Sequence, residues 1–353
     1  MKVLTVVGAR PQFIKAAAVS RELRRRHEEV LVHTGQHYDE EMSDVFFEEL
    51  AIPEPDENLG VGSSSHGAQT AEMLAGLEER IERVEPDAVL VYGDTNSTLA
   101  AAIAASKMDT RLAHVEAGLR SYNREMPEEI NRVLTDHAAD DLFAPSRRAV
   151  ANLREESVAG AVHETGDVMC DAVCWARDRA VDRSEILTEL GVESGEYVLA
   201  TVHRASNTDD PDRLAAILDA LAAEVREVVL PAHPRTINRM REYAMLDDAR
   251  EKLTLVDPVG YLDFVRLQDC ADVVATDSGG VQKEAFFLDT PCVTMREETE
   301  WRETVEAGWN ELVGANKAAI RRALADADPP GEKPQPYGDG DAAARITDLL
   351  DDD

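Results

Sequence analysis

The chain has 353 residues, room for two domains and a sizeable core, and its 70 acidic side chains outnumber 37 Lys and Arg for a formal net charge of −33. A surface of that sign repels nucleic acid and anionic membranes, which sets both aside as partners. The acids are spread along the chain, with only Asp351-Asp352-Asp353 as a short tail, so they read as an adaptation to high salt rather than an acidic binding block.

Lys2–Gly8 reads as a short buried strand, and Arg10-Pro11 opens a helix to about Arg26. Val30–His33 is a second strand, followed by the loop Gly35-Gln36-His37-Tyr38 and by helices near Asp39–Leu50 and His66–Val84. Asp87–Tyr92 is a strand that ends in Gly93-Asp94-Thr95-Asn96 and passes into an alanine-rich helix. Leu112–Val115 is a further buried strand, with Glu116 where it should surface. Pro127 then opens a helix whose first turn carries Glu128 and Glu129, carboxylates at its positive end. Asp141–Ala144, a helix to about Val158, and His163–Thr165 close the first half.

A helix near Asp167–Ala180 and a charged linker lead to Tyr197–Val202, where the pattern restarts. Helix 209–225, strand Val228–Leu230, helix 235–245, strand Leu253–Val256 and helix 260–271 follow. Strand Val273–Thr276, helix 279–288 and strand Pro291–Met295 come next; a Pro/Gly linker (328–340) precedes a final amphipathic helix, 341–350. Strands alternating with helical runs predict an α/β protein of two Rossmann-like domains facing across a cleft. The division is 1–168, with the C-terminal helix 341–353 packing back on it, and 169–340. Four cysteines are too few for a disulfide framework, and Cys170 and Cys174 lack a matching Cys or His pair for a metal. With no charged-then-apolar leader and no long apolar run, a cytoplasmic protein is expected.

Each half offers an anion site at a strand-to-helix turn. In the first it is Gly8-Ala9-Arg10-Pro11, with Lys15 one turn on; in the second it is Ser278-Gly279-Gly280, where backbone N–H groups can approach a phosphate. The DSGG pattern alone is weak, since a tight turn explains it equally well. Glu284 is placed to accept from two sugar hydroxyls, unless it is a solvated helix acid. Glu129 reads as well as a capping acid as a catalytic one. His203 and His233 end successive strands beside arginines and suggest an anion-facing edge, while Asp94 and Glu116 end neighbouring strands of the first half. Such a set suits a substrate with a diphosphate at one end and hydroxyl-bearing carbon chemistry at the other.

The segments VVGARPQFIK, GDTNSTLAA, HVEAGLRS, MPEEINR, HPRT, TDSGGVQKEA and YGDG, in order from Lys2 to Ile346, together resemble the non-hydrolysing UDP-N-acetylglucosamine 2-epimerases. The resemblance implies the glycosyltransferase-B architecture and a homodimer acting in polysaccharide biosynthesis. It implies interconversion of UDP-N-acetylglucosamine and UDP-N-acetylmannosamine through elimination of UDP to a 2-acetamidoglucal and re-addition, without metal or other cofactor. By motif match Asp94, Glu116 and Glu128 are the catalytic carboxylates and His203 assists departure of UDP. Arg10, Lys15, His233, Ser278, Gly279, Gly280 and Glu284 bind the UDP part. Three departures stand out, one being a loop between Arg120 and Pro127 shorter than in some bacterial members, which bears on the pose of Glu128. Glu300-Trp301-Arg302-Glu303 replaces Glu-Arg-Pro-Glu, which puts a phosphate contact in doubt, and the residues around Gln36-His37 match poorly the activator site of bacterial relatives. The competing readings are a hydrolysing 2-epimerase that releases N-acetylmannosamine and UDP, an epimerase for an oxidised diacetamido sugar, a glycosyltransferase of the same fold, and a non-catalytic sensor. The wording Ala117–Ser121 favours the simple N-acetyl sugar over the oxidised one.

Overall fold

The computed structural model describes residues 1–36, 49–329 and 331–351. Lys2–Val7 (β1), Glu28–His33 (β2), Glu57–Asn58 (β3), Ala88–Tyr92 (β4), Arg111–Val115 (β5), Asp141–Ala144 (β6) and Ala161–Glu164 (β7) form one sheet. Its order is β3-β2-β1-β4-β5-β6-β7, with every neighbouring pair parallel. β4 is buried along its whole length, as a parallel strand covered on both faces must be, which is why it reads as the continuous apolar run AVLVY. The helices of this part are Arg10–Leu23 (α1), His66–Val84 (α2), Asn96–Lys107 (α3), Pro127–Ala138 (α4), Arg147–Glu155 (α5) and Val168–Arg183 (α6). The helix expected near 39–50, and His37 with it, lies outside the described residues save for its last two positions.

The second sheet contains Tyr197–Thr201 (β8), Glu227–Pro231 (β9), Thr254–Val256 (β10), Val273–Thr276 (β11), Cys292–Thr294 (β12) and Asn310–Leu312 (β13), in the order β10-β9-β8-β11-β12-β13, again all parallel. Between and around them run Ile186–Leu190 (α7), Ala205–Thr208 (α8), Pro211–Leu221 (α9), Pro234–Glu242 (α10), Leu246–Lys252 (α11), Tyr261–Asp269 (α12), Gly279–Phe287 (α13), Arg302–Glu306 (α14) and Lys317–Ala325 (α15). The last helix is Ala342–Asp351 (α16).

Two compact units result, Met1–Ala172 with Gln335–Asp353, and Val173–Pro334. Within the first, α16 lies against α1, with Ile346 and Leu350 buried and the Arg26 guanidinium 2.6 Å from Asp348. Asp171 accepts from the backbone N–H groups of Ala342 (3.2 Å) and Ala343 (2.8 Å) and so caps α16 from α6.

Some expected helices are broken. The expected 209–225 helix starts at Pro211, because Asp210 accepts from Asp212 N and Arg213 N and fixes the first turn there. The expected 235–245 helix ends at Glu242, and Ala244, in the left-handed region at φ 56°, separates it from α11.

Candidate active site

In an open parallel sheet, ligands collect at the carboxyl ends of the strands where the strand order reverses. In the first sheet that point lies between β1 and β4, whose ends carry Gly8 and Gly93-Asp94. Gly8 has no substitute there: a Cβ would run into the hydroxyls of Ser97 and Thr34. Gln12, buried on the first turn of α1, accepts from Gly8 N (2.8 Å) and Ala9 N (3.0 Å) and donates to the carbonyl of Tyr92 (2.7 Å) and to Thr98 (3.0 Å). One amide side chain thus joins the β1 turn to the end of β4.

Glu116 follows β5 with φ 70°, a left-handed conformation that costs an ordinary residue about 1 kcal/mol or more. The turn aims its carboxylate at the Lys15 ammonium, and both groups are largely buried. The pair lies against Gly93, where a Cβ would sit 3.3 Å from Glu116 Oε2 and 3.6 Å from Lys15 Nζ. Asp94 forms an ion pair with Arg132 of α4, and its carbonyl accepts from Asn131 Nδ2 at 2.9 Å. Burial raises the Asp94 carboxyl above its ordinary value against the pull of Arg132, and the nearby Glu116 adds to the rise. Glu128, exposed on the first turn of α4, lines a cavity of about 600 Å³ together with Arg10, Gln36, His66, Asp94 and Asn96.

Glu129 has a different job. Its carboxylate accepts from Ser121 N, Ser121 Oγ and Tyr122 N, all at 2.9 Å, so it braces the loop between β5 and α4. Burial opposes its charge, but those hydrogen bonds win and hold its carboxyl below the ordinary value.

In the second sheet the reversal falls between β8 and β11. Asp277, wholly buried at the end of β11, accepts from the backbone N–H of His203 (3.0 Å) and Arg204 (3.1 Å) and from Asn207 Nδ2 (3.1 Å). Its Oδ1 lies 3.1 Å from His203 Nδ1. Burial alone would raise the Asp277 carboxyl, but the hydrogen bond and charge of His203 bring it below the ordinary value. Facing an ionised carboxylate, Nδ1 must donate, which leaves Nε2 of a half-exposed ring for another partner.

Ser278 is the N-cap residue of α13 and makes no side-chain cap, so the first amides of that helix, at Gly279 and Gly280, remain for an anion. Glu284 is 8% exposed, which removes the solvated-acid reading, and it accepts from Gln268 Nε2 at 2.9 Å. His233 caps α10 by accepting from Arg235 N at 3.1 Å, and its ring lies 6.3 Å from that of His203. Trp301, at the altered Glu-Arg-Pro-Glu position, stacks its indole under the Lys283 ammonium at 4.0 Å. Arg302 begins α14.

The model of the UDP-N-acetylglucosamine 2-epimerase family matches residues 21–351. The chain belongs to that family. A UDP-N-acetylglucosamine 2-epimerase homolog of Methanococcus maripaludis is 49% identical over 99% of both chains. A UDP-2,3-diacetamido-2,3-dideoxy-D-glucuronate 2-epimerase of Pseudomonas aeruginosa is 47% identical, again over 99% of each. The crystal structure of Methanocaldococcus jannaschii UDP-GlcNAc 2-epimerase in complex with UDP-GlcNAc and UDP shares 40% identity and covers 99% of both chains, with a TM-score of 0.84. This family member therefore has the α/β fold of glycosyltransferase-B type.

Within the first unit the structure brings Arg10, Asp94 and Glu128 to one cavity and sets Lys15 and Glu116 against Gly93 beside it. Within the second it gathers His203 and His233 with each other, and Ser278, Gly279 and Gly280 at the head of the helix that carries Glu284. Several supporting residues of the candidate site carried no individual signal in the sequence. Gln12, Asn131 and Arg132 sit inside recognised motifs, but their partners lie 80 and 38 residues away for Gln12 and Arg132. Asp277 was legible only as part of a glycine turn.

Proposed function

We propose that this chain interconverts UDP-N-acetylglucosamine and UDP-N-acetylmannosamine. A carboxylate removes the proton on carbon 2, the bond from carbon 1 to the diphosphate oxygen breaks, and UDP leaves with the electron pair. The resulting 2-acetamidoglucal takes UDP back as a proton is delivered to the opposite face of carbon 2. The observation that carries this reading is the grouping of Asp94 and Glu116, each with its own cation, at the switch point of the first sheet, with Glu128 on the adjoining cavity wall.

Carbon 2 is a weak acid, so the reaction needs a base held in place and a stabilised leaving group. Asp94, Glu116 and Glu128 share the base and acid roles; the raised carboxyl of Asp94 suits it to carrying a proton. Lys15 and Arg132 offset negative charge at carboxylates that must work side by side. The reading gives the UDP part to the second unit. There His203, oriented through Asp277, offers Nε2 to the departing diphosphate, and the Ser278-Gly279-Gly280 amides hold phosphate. His233 adds a hydrogen-bonding group to that end, and Arg10, on the wall of the first unit's cavity, is the further cation this reading assigns to the substrate's phosphates. Glu284, which accepts from Gln268 Nε2 and Tyr261 OH, is the group this reading assigns to the ribose hydroxyls. The proposal includes a cytoplasmic homodimer whose product feeds polysaccharide synthesis.

The test is incubation with UDP-N-acetylglucosamine in deuterium oxide at high salt, followed by proton NMR. Deuterium at carbon 2 and a mixture of both UDP-sugars are expected. Free N-acetylmannosamine would indicate the hydrolysing reaction, and no exchange without an acceptor would favour a glycosyltransferase or sensor.

The 47% identity to the Pseudomonas diacetamido-glucuronate epimerase favours a second reading, the same chemistry on that oxidised sugar. Comparing kcat/KM for the two UDP-sugars decides between them. A ratio favouring the diacetamido substrate by tenfold or more would replace the simple sugar with the oxidised one.

A further inference from the structure

Beneath the three carboxylates of the first unit lies a second set of charges that the proposed chemistry does not touch. His114, on β5, is wholly buried, with Nδ1 2.7 Å from Asp136 Oδ1 and Nε2 2.8 Å from the carbonyl oxygen of Gly93. Asp136, on α4, is also wholly buried, and its other oxygen accepts from Gly118 N (3.1 Å) and Arg120 Nη1 (2.7 Å). Arg120 also donates through Nε and Nη2 to Glu156, both at 2.7 Å, and through Nη1 to the Leu119 carbonyl at 2.7 Å.

Two arguments fix the hydrogens on the ring. A carbonyl oxygen can only accept, so Nε2 must donate to Gly93. Asp136 is held as a carboxylate by the Arg120 guanidinium and the Gly118 N–H, both donating to its other oxygen. It too can only accept, so Nδ1 must donate. With the ring as an imidazolium, Asp136 lies between two cations, His114 and Arg120, while Glu156 faces Arg120 and also His137 at 3.4 Å. A neutral ring would leave one of its nitrogens facing an acceptor without a hydrogen, a costly arrangement between wholly buried groups.

The connections show what this does. Through Gly93 the pair grips the turn that bears Asp94; through Gly118 and Arg120 it grips the turn that bears Glu116; and Asp136 lies on α4, the helix that bears Glu128 and Arg132. We propose that His114 and Asp136 form a buried imidazolium–carboxylate clasp that positions Asp94, Glu116 and Glu128 relative to one another. Both ring nitrogens are committed to the fold, so His114 is a positioning residue and transfers no proton. The inference rests on the epimerase reading for its functional consequence, though not for the state of the ring.

The test has two arms on the full-length protein. In the first, histidines are labelled with 15N and the His114 signals assigned by their loss in His114→Gln; both ring nitrogens should show the shifts of protonated imidazolium at neutral pH. A single unprotonated ring nitrogen overturns the proposal. In the second, His114→Gln should lower kcat for carbon 2 exchange by about 10- to 100-fold, as expected when reacting groups shift by around an ångström, with KM and UDP affinity within about twofold of the parent. Parent-like kcat, or a parallel loss of UDP affinity and cooperative melting, would make His114 an ordinary core residue. An unsubstituted protein with no exchange would count against the epimerase reading itself, while the ring signals would still report on the clasp.

Discussion

Glu116 concentrates several residue-scale arguments: a left-handed backbone, a largely buried carboxylate and a lysine reaching it from α1. Strain of this kind persists where the surrounding structure enforces it, and here backbone N–H groups of Glu116 and Ala117 both donate to the Phe143 carbonyl at 3.1 Å. Glu116→Gln keeps the shape and removes the charge. It should cut deuterium exchange at carbon 2 by about 10²- to 10⁴-fold, the usual worth of a positioned acid or base, while calorimetry shows UDP binding unchanged. Loss of binding as well would assign the residue to structure. Gly8→Ala should destabilise the protein by about 1–3 kcal/mol or more in chemical denaturation, because the added methyl must displace both Ser97 and Thr34. The strand-end acids could be picked out from sequence because each follows an apolar run. Their pairing with cations could not: Lys15, read from sequence as a phosphate-binding residue, is 101 residues from Glu116, and Arg132 is 38 from Asp94.

At the scale of elements, the long buried strands and the proline-opened helices were legible, since β4, β8 and β11 are continuous apolar runs and Pro127 sits at the start of α4. The short pieces α7, α8, α11, α14 and β13 were not, being three to seven residues long with too few turns or alternations to show a period. α15 was not expected either, although an Asn316 cap followed by Ile320, Ala323 and Leu324 at helical spacing marks it. The link between α6 and α16 has a pH signature. Burial lifts the Asp171 carboxyl to about 6, although the Ala342 and Ala343 amides pull the other way. A carboxyl raised above its unfolded value stabilises the fold fully only below that unfolded value, near 4, and the contribution fades as pH rises through 6. Asp171→Asn, neutral at every pH, should flatten melting temperature between pH 5 and 7 and be the more stable variant at pH 8, by on the order of 1 kcal/mol. A variant less stable at pH 8 would show that the ionised cap is worth more than its burial costs.

For the whole molecule, the net charge of −33 sets the dependence on salt. Exposed ion pairs such as Arg26–Asp348 and Arg239–Asp209 contribute little each, about 0–1 kcal/mol, and salt weakens them further. Repulsion among the excess acids outweighs them, and the screening length falls from about 10 Å at 0.1 M salt to about 3 Å at 1 M. Melting temperature should therefore climb with potassium chloride over that range; a fall would mean that attraction between paired charges exceeds the repulsion. The doubly wound α/β pattern was legible because strands and helices alternate throughout. The pairing of His114 with Asp136 was not, because nothing in one sequence says that residues 22 apart meet inside the fold.

The covering of α1 by α16 has a consequence for synthesis. Residues 173–334 form their unit without the last segment, whereas the unit that begins at Met1 takes in residues from Gln335 onward. As the chain grows from its amino end, the lobe translated first is thus completed last, and a nascent chain stalled before Ala342 would leave one side of α1 bare.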